Sequence, residues 1–94
     1  MPKFRKKPVV IDAIQWDGLQ RTAEQFFGLN AYEERWRYNT DIGALDSAIL
    51  IMTLEGEMVC NKGDWIVRGV KGEYYPVRPD IFADTYEPAE EYAL

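Results

Sequence analysis

The chain of 94 residues carries 11 Lys+Arg, 16 Asp+Glu, no His and one Cys, for a formal charge of -5. Without an imidazole no side chain titrates near neutrality unless strongly perturbed, which excludes Ser-His, Cys-His and ordinary histidine acid–base chemistry. The lone Cys60 supplies neither a zinc ligand set nor an internal disulfide. Hydrophobic residues make up 47% of the chain, enough for one core at this length, so a single domain over residues 1–94 is expected.

In chain order, residues 1–8 form a basic arm bearing Lys3, Arg5, Lys6 and Lys7. Val9 to Trp16 is rich in β-branched and aromatic residues and predicts a strand buried on most of both sides. Asp17-Gly18 turns the chain, and Thr22-Ala23-Glu24-Gln25 has the form of a capping box. That box would open a helix around residues 22–30 carrying Phe26, Phe27 and Leu29, weakened at its end by Gly28 and Asn30. Residues 30–47 offer Tyr32, Trp36 and Tyr38 as packing anchors, with Glu33, Glu34, Arg35 and Arg37 in water; a helical turn and a loop both fit.

The second half reads as strands separated by glycine turns. Ala48–Glu55 is a strongly apolar strand, broken at Gly56 and resumed over Glu57–Cys60 as a hairpin or a bulged strand. Asn61–Asp64 is a turn, Trp65–Arg68 a strand, Gly69–Gly72 a turn and Glu73–Val77 a strand that Pro76 places at an edge. Pro79 suits the first turn of a short helix over residues 79–86, and residues 89–94 form an acidic, frayed tail. The expected fold is α+β: a small antiparallel meander covered by one main helix, with a short C-terminal helix.

Charge is unevenly distributed along this frame. The basic arm holds +4, residues 9–60 hold -6, residues 61–78 hold +2 and residues 79–94 hold -5. The balance disfavours general duplex DNA binding, which rests on counterion release. No run approaches the roughly 20 apolar residues of a membrane span, and the apolar run after the basic arm breaks at Asp12. No membrane partner and a reducing, cytoplasmic setting are therefore expected.

Arg68, Lys71, Tyr74, Tyr75 and Arg78 form the most suggestive constellation. A hairpin through Gly69–Gly72 would put Arg68 near its end, Lys71 in the loop, and Tyr74 and Tyr75 on opposite faces. Guanidinium forks grip phosphate oxygens and aromatic rings stack bases, so this set suits a small anionic, nucleotide-type ligand. The structural alternative pairs Arg68 and Arg78 with Glu73, Asp80 or Asp84 on a wet surface. Asp64 is explained first by its turn, where its carboxylate can bond the backbone nearby, and otherwise as a group orienting a ligand. Asp41, Asp46, Glu55 and Glu57 show no metal-ligand or paired-acid spacing, and Cys60 reads as an inert buried thiol.

KFRKKPVVIDAIQW at residues 3–16, IMTLEGEM at 51–58 and above all GDWIVRGVKGEYYPVRPDIFADTYEP at 63–88 resemble a family of small uncharacterised proteins of tailed bacteriophages and prophages. That family is related to the one named for a Pro-Gly-Asp-Tyr-Gly signature, of which Gly63-Asp64 keeps the core while Lys62 and Trp65 replace the Pro and the Tyr. The resemblance implies a phage accessory protein acting in the cytoplasm of an infected bacterium, and it carries no catalytic mechanism. The combined expectation is a non-enzymatic binding protein with no cofactor and no metal, sequestering a small anionic ligand in counter-defence through Asp64, Arg68, Lys71, Tyr74, Tyr75 and Arg78. The alternatives are a protein-binding inhibitor of a host defence enzyme, anti-CRISPR-like or mimicking nucleic acid with its acidic segments, and an accessory phage protein with no defence role. Homo-oligomerisation through a sheet edge is compatible with each.

Overall fold

The computed structural model describes residues 2–4, 9–28, 30–39 and 48–89. In chain order these form β1 (Asp12–Gln15), α1 (Gln20–Phe27), β2 (Trp36–Tyr38), β3 (Ala48–Thr53), β4 (Gly56–Asn61), β5 (Trp65–Arg68), β6 (Tyr74–Val77) and α2 (Pro79–Thr85). The fold is α+β and mostly β. Two antiparallel three-stranded sheets have the orders β1-β5-β6 and β2-β3-β4. The expected single meander under one covering helix is therefore corrected to two sheets.

The physical reason lies in the turn between β4 and β5. The Asn61 N–H donates to Asp64 Oδ2 (2.9 Å) and the Asp64 N–H donates to the Asn61 carbonyl (2.9 Å), while Gly63 takes a φ of 96° that an L side chain rarely adopts. As the chain leaves this turn it meets the end of β1. The Gly63 N–H donates to the Trp16 carbonyl (2.8 Å) and the Trp16 N–H to the Asp64 carbonyl (2.9 Å). β5 consequently pairs with β1, from Gln15 opposite Trp65 to Asp12 opposite Arg68, and not with β4. The other turns behave as read: β3 and β4 form a plain hairpin with Thr53 opposite Gly56, and β5 and β6 pair with Arg68 opposite Tyr74. Pro76 lies on β6, at a sheet edge, where a missing N–H breaks no ladder bond.

The core is shared by both sheets. Trp16, Ala23, Phe27, Trp36, Ile49, Ile51, Cys60, Ile66 and Tyr74 make one buried cluster. The anchors expected in the unreadable middle segment do pack: Trp36 stacks on Phe27 with centroids 5.8 Å apart and meets Tyr32 and Tyr38 edge to face. Its backbone is a strand, however, reached through a turn in which Glu33 takes a φ of 70°. The Trp36 Nε1–H is buried with no acceptor among the described residues. Asp41 and Asp46, weighed above as acids, lie outside the described residues, as do Arg5, Lys6, Lys7, Leu29 and most of the acidic tail.

Three local readings are revised. The first strand is only four residues long, with Val9 and Val10 about half exposed and full burial confined to Trp16 just beyond it, because β1 has a strand on one side only. Helix α1 starts at Gln20, two residues before the expected box. Asp17 organises its entry, one carboxylate oxygen accepting the Leu19 N–H (3.0 Å) and the other the Thr22 hydroxyl (2.8 Å). Those two bonds, the backbone one foremost, hold the Asp17 carboxyl below its ordinary range. Gly28, with φ of 100°, ends the helix as expected, its N–H donating to the Glu24 carbonyl. Finally, α2 buries no residue fully; it rests on the sheet through Phe82, stacked on Trp65 at 3.9 Å and on Tyr86 at 4.8 Å.

Candidate functional site

The hairpin β5–β6 and the turn before β2 build opposite walls of an open cleft. Arg68 ends β5 and stands directly across the ladder from Tyr74, whose ring enters the core against Phe27 (4.7 Å) and Phe26 (5.9 Å). Arg35 comes from the other sheet's approach. Its N–H donates to the Ala31 carbonyl (2.8 Å) and its carbonyl accepts the Met52 N–H (2.9 Å), so its backbone is pinned while its side chain is free to reach the ring. Both guanidinium carbons lie 6.0 Å from the Tyr74 centroid. At that distance a cation is attracted to the aromatic face, and the ring acts as a common support for two forks.

The cleft has a volume of about 610 Å³ and is also bordered by Glu34, Leu54, Lys71 and Glu73. That is in the range of small-ligand sites. Three cations, Arg35, Arg68 and Lys71, face two carboxylates, Glu34 and Glu73, leaving a surplus of one positive charge. Neither arginine forms an ion pair among the described residues. Glu73 folds back over its own turn, where its Oε1 accepts the Lys71 N–H (3.1 Å). It lies so close to Gly69 that a Cβ there would stand 2.0 Å from Oε1.

The six residues singled out from the sequence divide into two groups. Arg68, Lys71 and Tyr74 meet in this cleft. Tyr75 points to the other face, sharing a hydrogen bond with the Tyr86 hydroxyl (3.1 Å), and burial together with that bond pushes its phenol well above the ordinary range. Arg78 sits before α2 and pairs with Asp80 (3.0 Å), both well exposed. Asp64 spends its carboxylate on the Asn61 N–H inside the turn. The sequence pattern places Arg35 in water. No spacing rule flags it, because its position depends on a three-residue turn and on a partner ring 39 positions away in sequence.

Cys60 is buried and burial pushes its thiol up to about 12. Among the described residues no group of acids, cysteines or histidines is placed to hold a metal ion, and Glu57 pairs with Arg37. No described helix is long and apolar enough to cross a membrane. Compared with family models, curated proteins and solved structures, the chain matches none.

Proposed function

We propose that this protein binds and sequesters a small anionic, nucleotide-type ligand without transforming it, as a phage-encoded counter-defence protein in the cytoplasm of an infected bacterium. The observation that carries the binding reading is the pair of guanidiniums held over one ring, Arg35 and Arg68 on Tyr74, at the wall of an open cleft. Two preorganised forks with no carboxylate partner among the described residues lose little entropy on gripping an anion. The phage setting is supported by the resemblance of residues 63–88. The reading as an acidic mimic has weaker support, since Asp17, Glu57 and Asp80 already engage donors within the chain.

Titration calorimetry against a panel of linear and cyclic nucleotides tests the proposal. Binding at low ionic strength is expected, weakened about tenfold or more by Arg35→Ala and by Arg68→Ala. A panel that produces no heat with the folded protein refutes it.

A further inference from the structure

A nucleotide offers two handles, its base and its phosphates, and the cleft is equipped for only one of them. The aromatic residues on its walls are Phe27 and Tyr74, and each is 7% exposed. Phe27 is stacked on Trp36 and tilted against Tyr74; Tyr74 in turn meets Phe26 and carries both guanidiniums. Neither ring has a face left for a base, so among the described residues the cleft offers no ring on which a base could stack. What the cleft presents to a ligand is the two forks and Lys71.

The resident carboxylate sharpens the point. Glu73 is tethered inside the cleft and already accepts the Lys71 N–H. It pairs with neither arginine, but its negative charge stands in the cleft whether or not a ligand is bound. A ligand with a single carboxylate gains little against that charge, whereas adjacent phosphates carry more charge and more acceptor oxygens for the guanidiniums. Arg35, Arg68 and Lys71 border one cleft, and each guanidinium carbon lies 6.0 Å from the same ring centroid, so a polyanion seated there faces three cations.

Resting on the binding reading above, we infer that the cleft recognises the oligophosphate portion of its ligand, two or more neighbouring phosphate groups, and is indifferent to the base. Glu73 is then a fixed opposing charge that lowers the affinity.

Calorimetry with inorganic pyrophosphate, acetate, adenosine, ATP and CTP decides this. Pyrophosphate is expected to bind, ATP and CTP to agree within about threefold, and acetate and adenosine to produce no heat. Glu73→Gln should tighten pyrophosphate by about five- to tenfold at low salt, because one opposing charge is removed. Gly69→Ala should do the same by a different route, since its new methyl group displaces the carboxylate sterically. Thermal melts of both variants confirm that they are folded. Nucleotide binding without pyrophosphate binding, an ATP to CTP difference above about tenfold, or unchanged affinity in both variants overturns this inference and leaves the proposed function standing. Absence of heat with nucleotides and pyrophosphate alike overturns both.

Discussion

Replacing Tyr74 by leucine separates the two duties that its ring performs. Leucine keeps most of the buried apolar volume but removes every interaction that needs a π face. Two aromatic contacts are lost, to Phe27 at 4.7 Å and Phe26 at 5.9 Å, each worth about 0.5–1.5 kcal/mol beyond area burial. Two cation–π contacts at 6.0 Å go with them, each about 0.5–1 kcal/mol at exposed guanidiniums. Together Tyr74→Leu should cost about 2–5 kcal/mol, a large share of the roughly 5–15 kcal/mol that holds a domain folded. Tyr74→Phe keeps both faces and should lie within about 1 kcal/mol of the parent. Urea unfolding followed by tryptophan fluorescence measures both variants. In a chain of this size the leucine variant should also melt at least roughly 8 °C lower. Equal stability of the leucine and phenylalanine variants would show that the ring serves only as volume, and the account of Tyr74 as a support for two arginines would be wrong.

Other perturbations test the frame around the cleft. Asp64→Ala leaves the Asn61 N–H without its acceptor and should cost about 1.5–3 kcal/mol by urea unfolding; a neutral result would mean that the turn forms without that carboxylate. Cys60, with its thiol pushed by burial from an ordinary value near 9 up to about 12, should resist Ellman's reagent at pH 8 in the native state and react in urea. The raised folded value also has a sign: the stability it contributes is complete below pH 9 and is lost as pH rises from there towards 12, so alkaline melts should show a falling melting temperature across that window. Phe82→Ala removes the stack on Trp65 that seats α2; amide exchange in residues 79–85 should accelerate while β3 and β4 stay protected.

Much of the local structure was legible because its causes are local. Glycine marks the end of β5 and proline the start of α2, and the strand Trp65–Arg68 appears with the boundaries that its turn residues suggest. Sheet membership was not legible. Whether β5 joins β4 or β1 depends on hydrogen bonds between Trp16 and the turn at residues 63–64, a contact across nearly 50 positions that no periodicity encodes. The start of α1 is hidden for a related reason: Thr22 has the pattern of a cap, but Asp17 offers a stronger charged acceptor five residues earlier and takes the hydroxyl for itself. Within the cleft, Arg68 and Tyr74 could be matched through hairpin register, since cross-strand pairing follows from turn length. Arg35 reaches the same ring from a segment whose fold depends on the burial of Trp36 beneath it, and reading it required the tertiary structure.

The seam between Trp16 and residues 63–64 also sets a timetable. During synthesis the hairpin β3–β4 can close as soon as Asn61 has emerged, for its strands are neighbours in the chain. β1 must wait with its ladder groups unsatisfied until β5 exists, since Gln15 pairs with Trp65 and Asp12 with Arg68. At about 5–20 residues per second the ribosome takes roughly 2–10 s to cover that interval. Over that time Asp12–Gln15 stays unpaired beside the apolar Val9, Val10 and Ile11, so aggregation on expression should respond to substitutions at those three residues that leave the finished protein's stability unchanged.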